Sequence, residues 1–142
     1  MMKTYIGTKI LNATPMTRGR YNDYRNWSAP AGEDQAVAGY MVEYLDGGAS
    51  NDSRHTGYIS WSPAEQFDVA YVEIGDVSGM PAHQQRVVAE KAELDNRLKG
   101  LVLFFRTTTF KTLPVAEQSL LSEQARVMAK YSDILARRRA AF

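Results

Sequence analysis

The chain has 142 residues, of which 44% are apolar and 23% charged, enough to bury a core without disulfides or a metal. It contains no cysteine, which excludes disulfides, thiolate nucleophiles and cysteine-ligated zinc or iron–sulfur centres. The formal net charge of +1 is unevenly spread: residues 1–80 hold six Lys and Arg against ten Asp and Glu, and residues 81–142 hold eleven against six. A basic half suits an anionic partner, and it suits solvated helices equally well. The overall charge lacks the size expected of a general DNA binder.

The opening MMKTYIGTKIL has neither the long apolar core nor the small-residue cleavage site of a signal peptide. The longest apolar run, Leu101 to Phe105, falls far short of the roughly 20 residues that span a bilayer. These features predict a soluble cytoplasmic protein with no membrane partner.

Taken in chain order, the first half is β-rich. Lys3 to Leu11, with Tyr5, Ile6, Ile10 and Leu11, predicts a strand. Thr17 is placed to cap a short helical turn over Arg18–Arg25, ending near Trp27, and Ser28 to Ala36 is a polar loop. In Gly39–Leu45 the residues Tyr40, Val42 and Tyr44 alternate with Met41, Glu43 and Leu45, a period of two that indicates a strand. Asp46-Gly47-Gly48 supplies turn chemistry, and Gly57–Trp61 predicts a second strand antiparallel to the first. Ser62-Pro63-Ala64-Glu65 has the residues of a capping box with proline at the first helical position. The helix it starts turns Phe67, Ala70 and Tyr71 inward, and Val72–Ile74 returns to the sheet.

Asp76–Pro81 is the joint, after which the period changes. Val87, Lys91, Leu94, Leu98, Leu101 and Phe105 follow a spacing of three and four, as do Leu121, Gln124, Met128, Tyr131 and Leu135. Two such seams joined by Arg106–Pro114 predict an αα-hairpin. The fold class is therefore α+β: a small N-terminal antiparallel sheet over 1–78, then a long antiparallel helical hairpin over 79–142, together in one body. Within the seams, Gln124 is placed to bond across the hairpin and fix register, and Lys91 to snorkel past its neighbours.

Enzyme chemistry has little to stand on. The two histidines, His55 and His83, lie in different halves and read as surface residues. GxSxG, HExxH, Walker and GxGxxG patterns are all missing, and Glu90 with Glu93 reads as a solvated helix face rather than a metal site. No catalytic residue, metal or cofactor is expected.

Binding chemistry is better supplied. Arg106-Thr107-Thr108-Thr109-Phe110-Lys111 gathers cations, hydroxyls and a ring suited to a phosphate and a base; alternatively Phe110 plugs the hairpin and the threonines satisfy loop backbone. Met16 to Trp27 sets three arginines among two tyrosines and a tryptophan, a base-and-phosphate surface, or else core aromatics with exposed arginines. Arg126 and Lys130 share a helix face. Arg137–Arg139 need only the helix dipole as explanation.

The run His83-Gln84-Gln85-Arg86-Val87-Val88-Ala89-Glu90-Lys91, Glu93-Leu94, then Leu101–Phe105, Phe110, Leu113, Glu117, Leu120-Leu121, Gln124, Met128, Tyr131, Leu135, Arg138 and Phe142 resembles a hairpin shared by two phage anti-defence families. One is the anti-CBASS cyclic-nucleotide sponge, little more than the hairpin. The other is the first described Thoeris anti-defence protein, which has a β-rich part ahead of it. YIGTKI, MTRGRYNDYR, GYMVEYLDGG and GYISWSP before the hairpin make this layout look like the second.

The resemblance implies a protein that sequesters immune signals without degrading them: cyclic ADP-ribose isomers from TIR enzymes and, in some members, CBASS cyclic oligonucleotides. It implies homo-oligomers, a dimer or a hexamer, in a bacterial host's cytoplasm, while the near-zero net charge argues against a nucleic-acid polymer as partner. The positions that best fit ligand contacts are Phe104, Arg106, Thr109, Arg126 and Lys130, with Arg20 and Arg25 from the N-terminal half. The competing reading is a hairpin that only oligomerises, as a structural or protein-interaction module.

Overall fold

Alternation builds a three-stranded antiparallel sheet in the order β1-β2-β3, from Asn12–Pro15, Gly39–Tyr44 and Tyr58–Pro63. The computed structural model describes Met1–Phe142 and divides the chain into two compact units, Met1–Tyr71 and Val72–Phe142. In the first unit Glu43 lies opposite Ile59 and Met41 opposite Trp61, while Val42 lies opposite Ser60 and Tyr40 opposite Ser62. The pleat therefore sends Ile59 and Trp61 to one face and Val42 and Tyr40 to the other. Ile59 and Val42 are each 1% exposed, so both faces are covered.

Helix α1 (Arg18–Tyr24) covers the Ile59 face, started by Thr17, whose hydroxyl accepts from the Arg20 N–H. Its Tyr21 is buried, and Arg18 lies over the Trp61 ring. Helix α2 (Ala64–Ala70) covers the other face, where Phe67 stacks between Tyr40 and Tyr71 at 4.3 and 4.7 Å.

Four expectations for the stretch from Lys3 to Ile74 are corrected. The strand over Lys3–Leu11 does not form; pairing starts at Asn12, and Tyr5 and Ile6 stay exposed. Their apolar residues come as adjacent pairs, which give a strand no single apolar face. Ser62 does not cap α2, because it is held in the sheet opposite Tyr40 and Pro63 takes the cap position. Val72–Ile74 joins no strand, and Ala70 is exposed.

In the second unit, α3 (Ala82–Phe104) and α5 (Val115–Ala140) pack against each other as an antiparallel hairpin. The link contains a short helix, α4 (Thr108–Thr112), capped by the Thr107 hydroxyl, which accepts from the Phe110 N–H at 3.2 Å. Val87, Val88 and Leu135 are the fully buried side chains. On α5 the seam runs through Gln118, Leu121, Ala125, Met128, Ser132 and Leu135, not through Gln124 and Tyr131, which are exposed.

A helix turns 100° per residue, so positions 121, 125, 128, 132 and 135 stay on one face while 124 and 131 drift off it. Gln124 accordingly fixes no register; its amide reaches only the Met128 sulfur of its own helix, at 3.7 Å. The cross-hairpin polar link belongs to Lys91 instead. Its ammonium donates to Ser132 Oγ at 2.9 Å and to Asp95 at 2.7 Å, and Ser132 donates to Asp95. Tyr131 donates to Glu90, and Glu93 pairs with Arg97. No helix is long and apolar enough to cross a membrane.

Candidate functional site

The hairpin cations expected to contact ligand fall into two places. Arg106 follows the end of α3 and, like Lys111, is exposed with no ion-pair partner. Thr109 opens its side chain to solvent in α4 while its carbonyl accepts from Thr112 Oγ1 at 2.8 Å. The remaining threonine chemistry is spent on the turn, where Thr107 Oγ1 donates to the Phe104 carbonyl at 2.6 Å. Phe104 and Phe105 both pack on Phe110, with centroids 5.9 and 4.8 Å apart. The turn is thus an aromatic plug with an exposed cation on each side.

Arg126 and Lys130 lie in the middle of α5, the first of them about 16 Å along the helix from Val115. Lys130 has no partner, and Arg126 reaches only Glu123, at 3.9 Å with both side chains more than 60% exposed. One copy of the chain therefore does not bring Arg126 and Lys130 together with Arg106 and Thr109. Beside these two cations runs a row of exposed apolar groups: Leu120 (66%), Val127 (49%), Tyr131 (40%) and Ile134 (45%). The spacing of seven, four and three puts them on one stripe, separate from the seam toward α3.

Concavity is found in the first unit. A cleft of about 240 Å³ lies between α1 and the outer edge of β3. Arg25 projects into it with its guanidinium 4.6 Å from the Trp27 ring, donating to Tyr21 Oη at 3.2 Å and to the Asn51 carbonyl at 3.4 Å. Arg18 crosses the Trp61 ring at 5.2 Å and pairs with Glu33 at 2.5 Å. Arg18 and Arg25 are half-buried while Trp27 is 49% exposed, which reverses for these residues the expected core aromatics and exposed arginines. The reason is stacking: a guanidinium is weakly hydrated and lies flat on an indole without losing its in-plane donors. Arg20 is exposed on α1 and lies outside the cleft.

Asp52 accepts two bonds from the Arg54 guanidinium, at 2.8 and 2.7 Å, and one from the Arg54 N–H at 3.0 Å. These hold its carboxyl far below the usual carboxylate range. Arg25 Nε stands 4.0 Å from the same carboxylate, so two guanidiniums share one negative charge.

Residues 81–141 match the family model Sequestin. The match covers less than half of the chain. It covers α3, α4 and α5, and the sheet unit lies outside it. No curated protein and no solved structure matches the chain. The exposed cations Arg126 and Lys130 and the exposed apolar stripe both belong to the matched segment, whereas the Arg–Trp cleft does not.

Sequence reasoning missed His55. Rather than a surface residue, it is a half-buried link, with Nε2 2.8 Å from Tyr24 Oη and Nδ1 3.1 Å from Glu43. Glu43 also accepts from the Gly57 N–H at 3.0 Å, which, ahead of His55, holds its carboxyl below the ordinary value. The available signal was Glu43, a carboxylate at an alternating strand position, which needs partners if that face is covered. His83 is exposed.

Proposed function

We propose that this chain is a phage anti-defence protein that sequesters a nucleotide-derived immune signal without degrading it. The observation that carries this reading is the Sequestin match over residues 81–141, a family whose action is signal capture rather than catalysis. The signals are cyclic ADP-ribose isomers made by TIR enzymes, with CBASS cyclic oligonucleotides as a second class.

The geometry supports an interface site. The stripe from Leu120 to Ile134 has Val127 at its midpoint, and two copies meeting there about a twofold axis bury it. Lys130 lies about 60° around the helix from Val127 and Arg126 about 100° on the same side, so the axis brings the two lysines nearest, with the two arginines behind them. Such a cluster repels itself until an anion enters, which links ligand binding to assembly. A diphosphate satisfies it by charge-assisted bonds. The turn residues Phe104, Arg106 and Thr109 then sit toward the ends of the paired hairpins, positioned for ring and ribose contacts with neighbouring copies.

The test is capture and release. Protein incubated with a TIR-generated cyclic ADP-ribose isomer and washed by filtration retains the ligand, and heat denaturation returns it intact. Degraded ligand, or none retained at micromolar protein, overturns the reading. Arg126→Ala with Lys130→Ala lowers retention at least about tenfold. Val127→Glu shifts sedimentation to a smaller species and loses retention with it. Retained assembly with no thermal shift from any cyclic signal would favour the purely structural module.

A further inference from the structure

Strand β3 is the outer strand of its sheet, and its free edge is only partly satisfied. The Ala64 N–H donates inward to the Ala38 carbonyl at 3.0 Å, so the even-numbered positions 60, 62 and 64 pair with β2 and the odd ones face outward. Pro63 occupies an outward position, where its missing N–H costs nothing. Ile59 turns out as well, and Asn51 meets it like a strand: its Oδ1 accepts from the Ile59 N–H at 2.8 Å and its Nδ2 donates to the Ile59 carbonyl at 2.8 Å. Two residues on, Trp61 presents its N–H and C=O to the same edge with no protein partner. Trp61 is one of the residues that line the cleft, with Arg18, Arg25 and Trp27.

A donor and an acceptor side by side on an extended backbone match the edge of adenine, which offers N7 as acceptor and the 6-amino group as donor. The neighbouring groups complete a nucleotide. Trp27 leaves about half its surface free for a ring to stack on. Arg25 has five N–H donors, of which Tyr21 and Asn51 take two, and its carboxylate neighbour Asp52 is already engaged by Arg54. Tyr58 and Ser60 also line the cleft, and their side chains alternate away from the face that carries Ile59 and Trp61. At about 240 Å³ the cleft is smaller than the roughly 300–1,000 Å³ of drug-sized sites, which suits one nucleotide rather than a dinucleotide.

We infer that the α1–β3 cleft is an adenine mononucleotide site, with the base edge read by the Trp61 backbone, the ring on Trp27 and the phosphate on Arg25. It lies outside the Sequestin segment and does not depend on the sponge reading.

Both tryptophans of the chain, Trp27 and Trp61, line this cleft, so intrinsic tryptophan fluorescence of the full chain reports on it and not on the hairpin. Titration with AMP gives saturable quenching. Arg25→Lys weakens it about tenfold, since an ammonium loses the stacked fork, with far-UV circular dichroism as the check that the variant folds. Should that variant unfold, a ligand-side comparison decides: 7-deaza-AMP, lacking the N7 acceptor, binds the native chain about tenfold more weakly. No saturable change with AMP, equal binding of 7-deaza-AMP, or the same response to inorganic phosphate alone overturns the inference. The Arg126→Ala, Lys130→Ala chain keeps the AMP response, so failure of the hairpin reading and failure of this one are distinguishable.

Discussion

Leu135→Ala tests the hairpin most directly. Leu135 is 0% exposed, and only Val87 and Val88 are buried as fully in that unit. Removing three carbons at ~0.8 kcal/mol each withdraws about 2.4 kcal/mol of transfer free energy. A rigid core adds a cavity term that takes Leu→Ala to about 3–5 kcal/mol. The seam is two helices wide, with half-buried Leu94, Leu98 and Met128 free to relax into the gap, so about 3 kcal/mol is expected. That lowers the melting temperature of the helical unit by about 12–24 °C. Far-UV circular dichroism follows the helices, while tryptophan fluorescence follows the sheet unit, because Trp27 and Trp61 are the two tryptophans. A loss below about 1 kcal/mol would refute the packing argument, since a side chain facing solvent costs no more than that.

Gly57→Ala should destabilise the sheet unit by at least about 2 kcal/mol, because the new Cβ stands 2.1 Å from the Tyr44 carbonyl oxygen; equilibrium unfolding by urea checks it. Acid should also destabilise the chain. Glu43 is held low by the Gly57 N–H and then His55, and Asp95 by Lys91 and then Ser132. Groups with depressed folded-state values stabilise above the unfolded carboxylate range and lose that contribution as pH falls through the folded values, so urea midpoints stay level near neutrality and drop below about pH 4. Glu43→Gln should flatten part of that drop, and an unaltered acid limb counts against its assignment. The proposed signal capture at Arg126 and Lys130 should weaken on raising salt, and the nucleotide binding inferred beside Arg25, whose side chain is 12% exposed, should weaken less; titrations at low and high ionic strength compare them.

Periodicity made the hairpin legible, because two helices of this length repeat their apolar positions often enough to define a face. It failed on which of two faces is the seam. Leu120, Val127, Tyr131 and Ile134 are as periodic as Leu121, Met128 and Leu135, and α5 has apolar residues on both. Spacing alone therefore places Gln124 and Tyr131 in the seam as readily as Ala125 and Ser132. The strand Gly39–Tyr44 was legible from strict alternation, while Lys3–Leu11, apolar without alternation, was not a strand at all. Turn chemistry carried Thr17 to its cap, yet Ser62 was claimed by the sheet before it reached its helix. The cleft was half visible. Residues 16–27 displayed its arginines and rings, but Asn51 and the open edge at Trp61 arise from pairing between distant segments, and local sequence does not record which strand lies at an edge.

The two units divide the requirements of capture unequally. The sheet unit has a concave site but sits in the half of the chain with excess acid, so attraction at a distance cannot come from it. The hairpin has the excess cations, but on one copy they stand on a convex helix face in water, where each ion pair contributes about 0–1 kcal/mol. Exposed charge raises the rate of encounter and does little to slow release. A captor that works stoichiometrically needs slow release, hence contacts removed from water. On the reading proposed above, the hairpin forms them only when the Leu120–Ile134 stripe is covered, and covering it draws Lys130 and Arg126 out of water in the same step. The proposal thus makes assembly and affinity a single property of the matched segment. A variant that abolishes pairing should lose capture even with every cation in place.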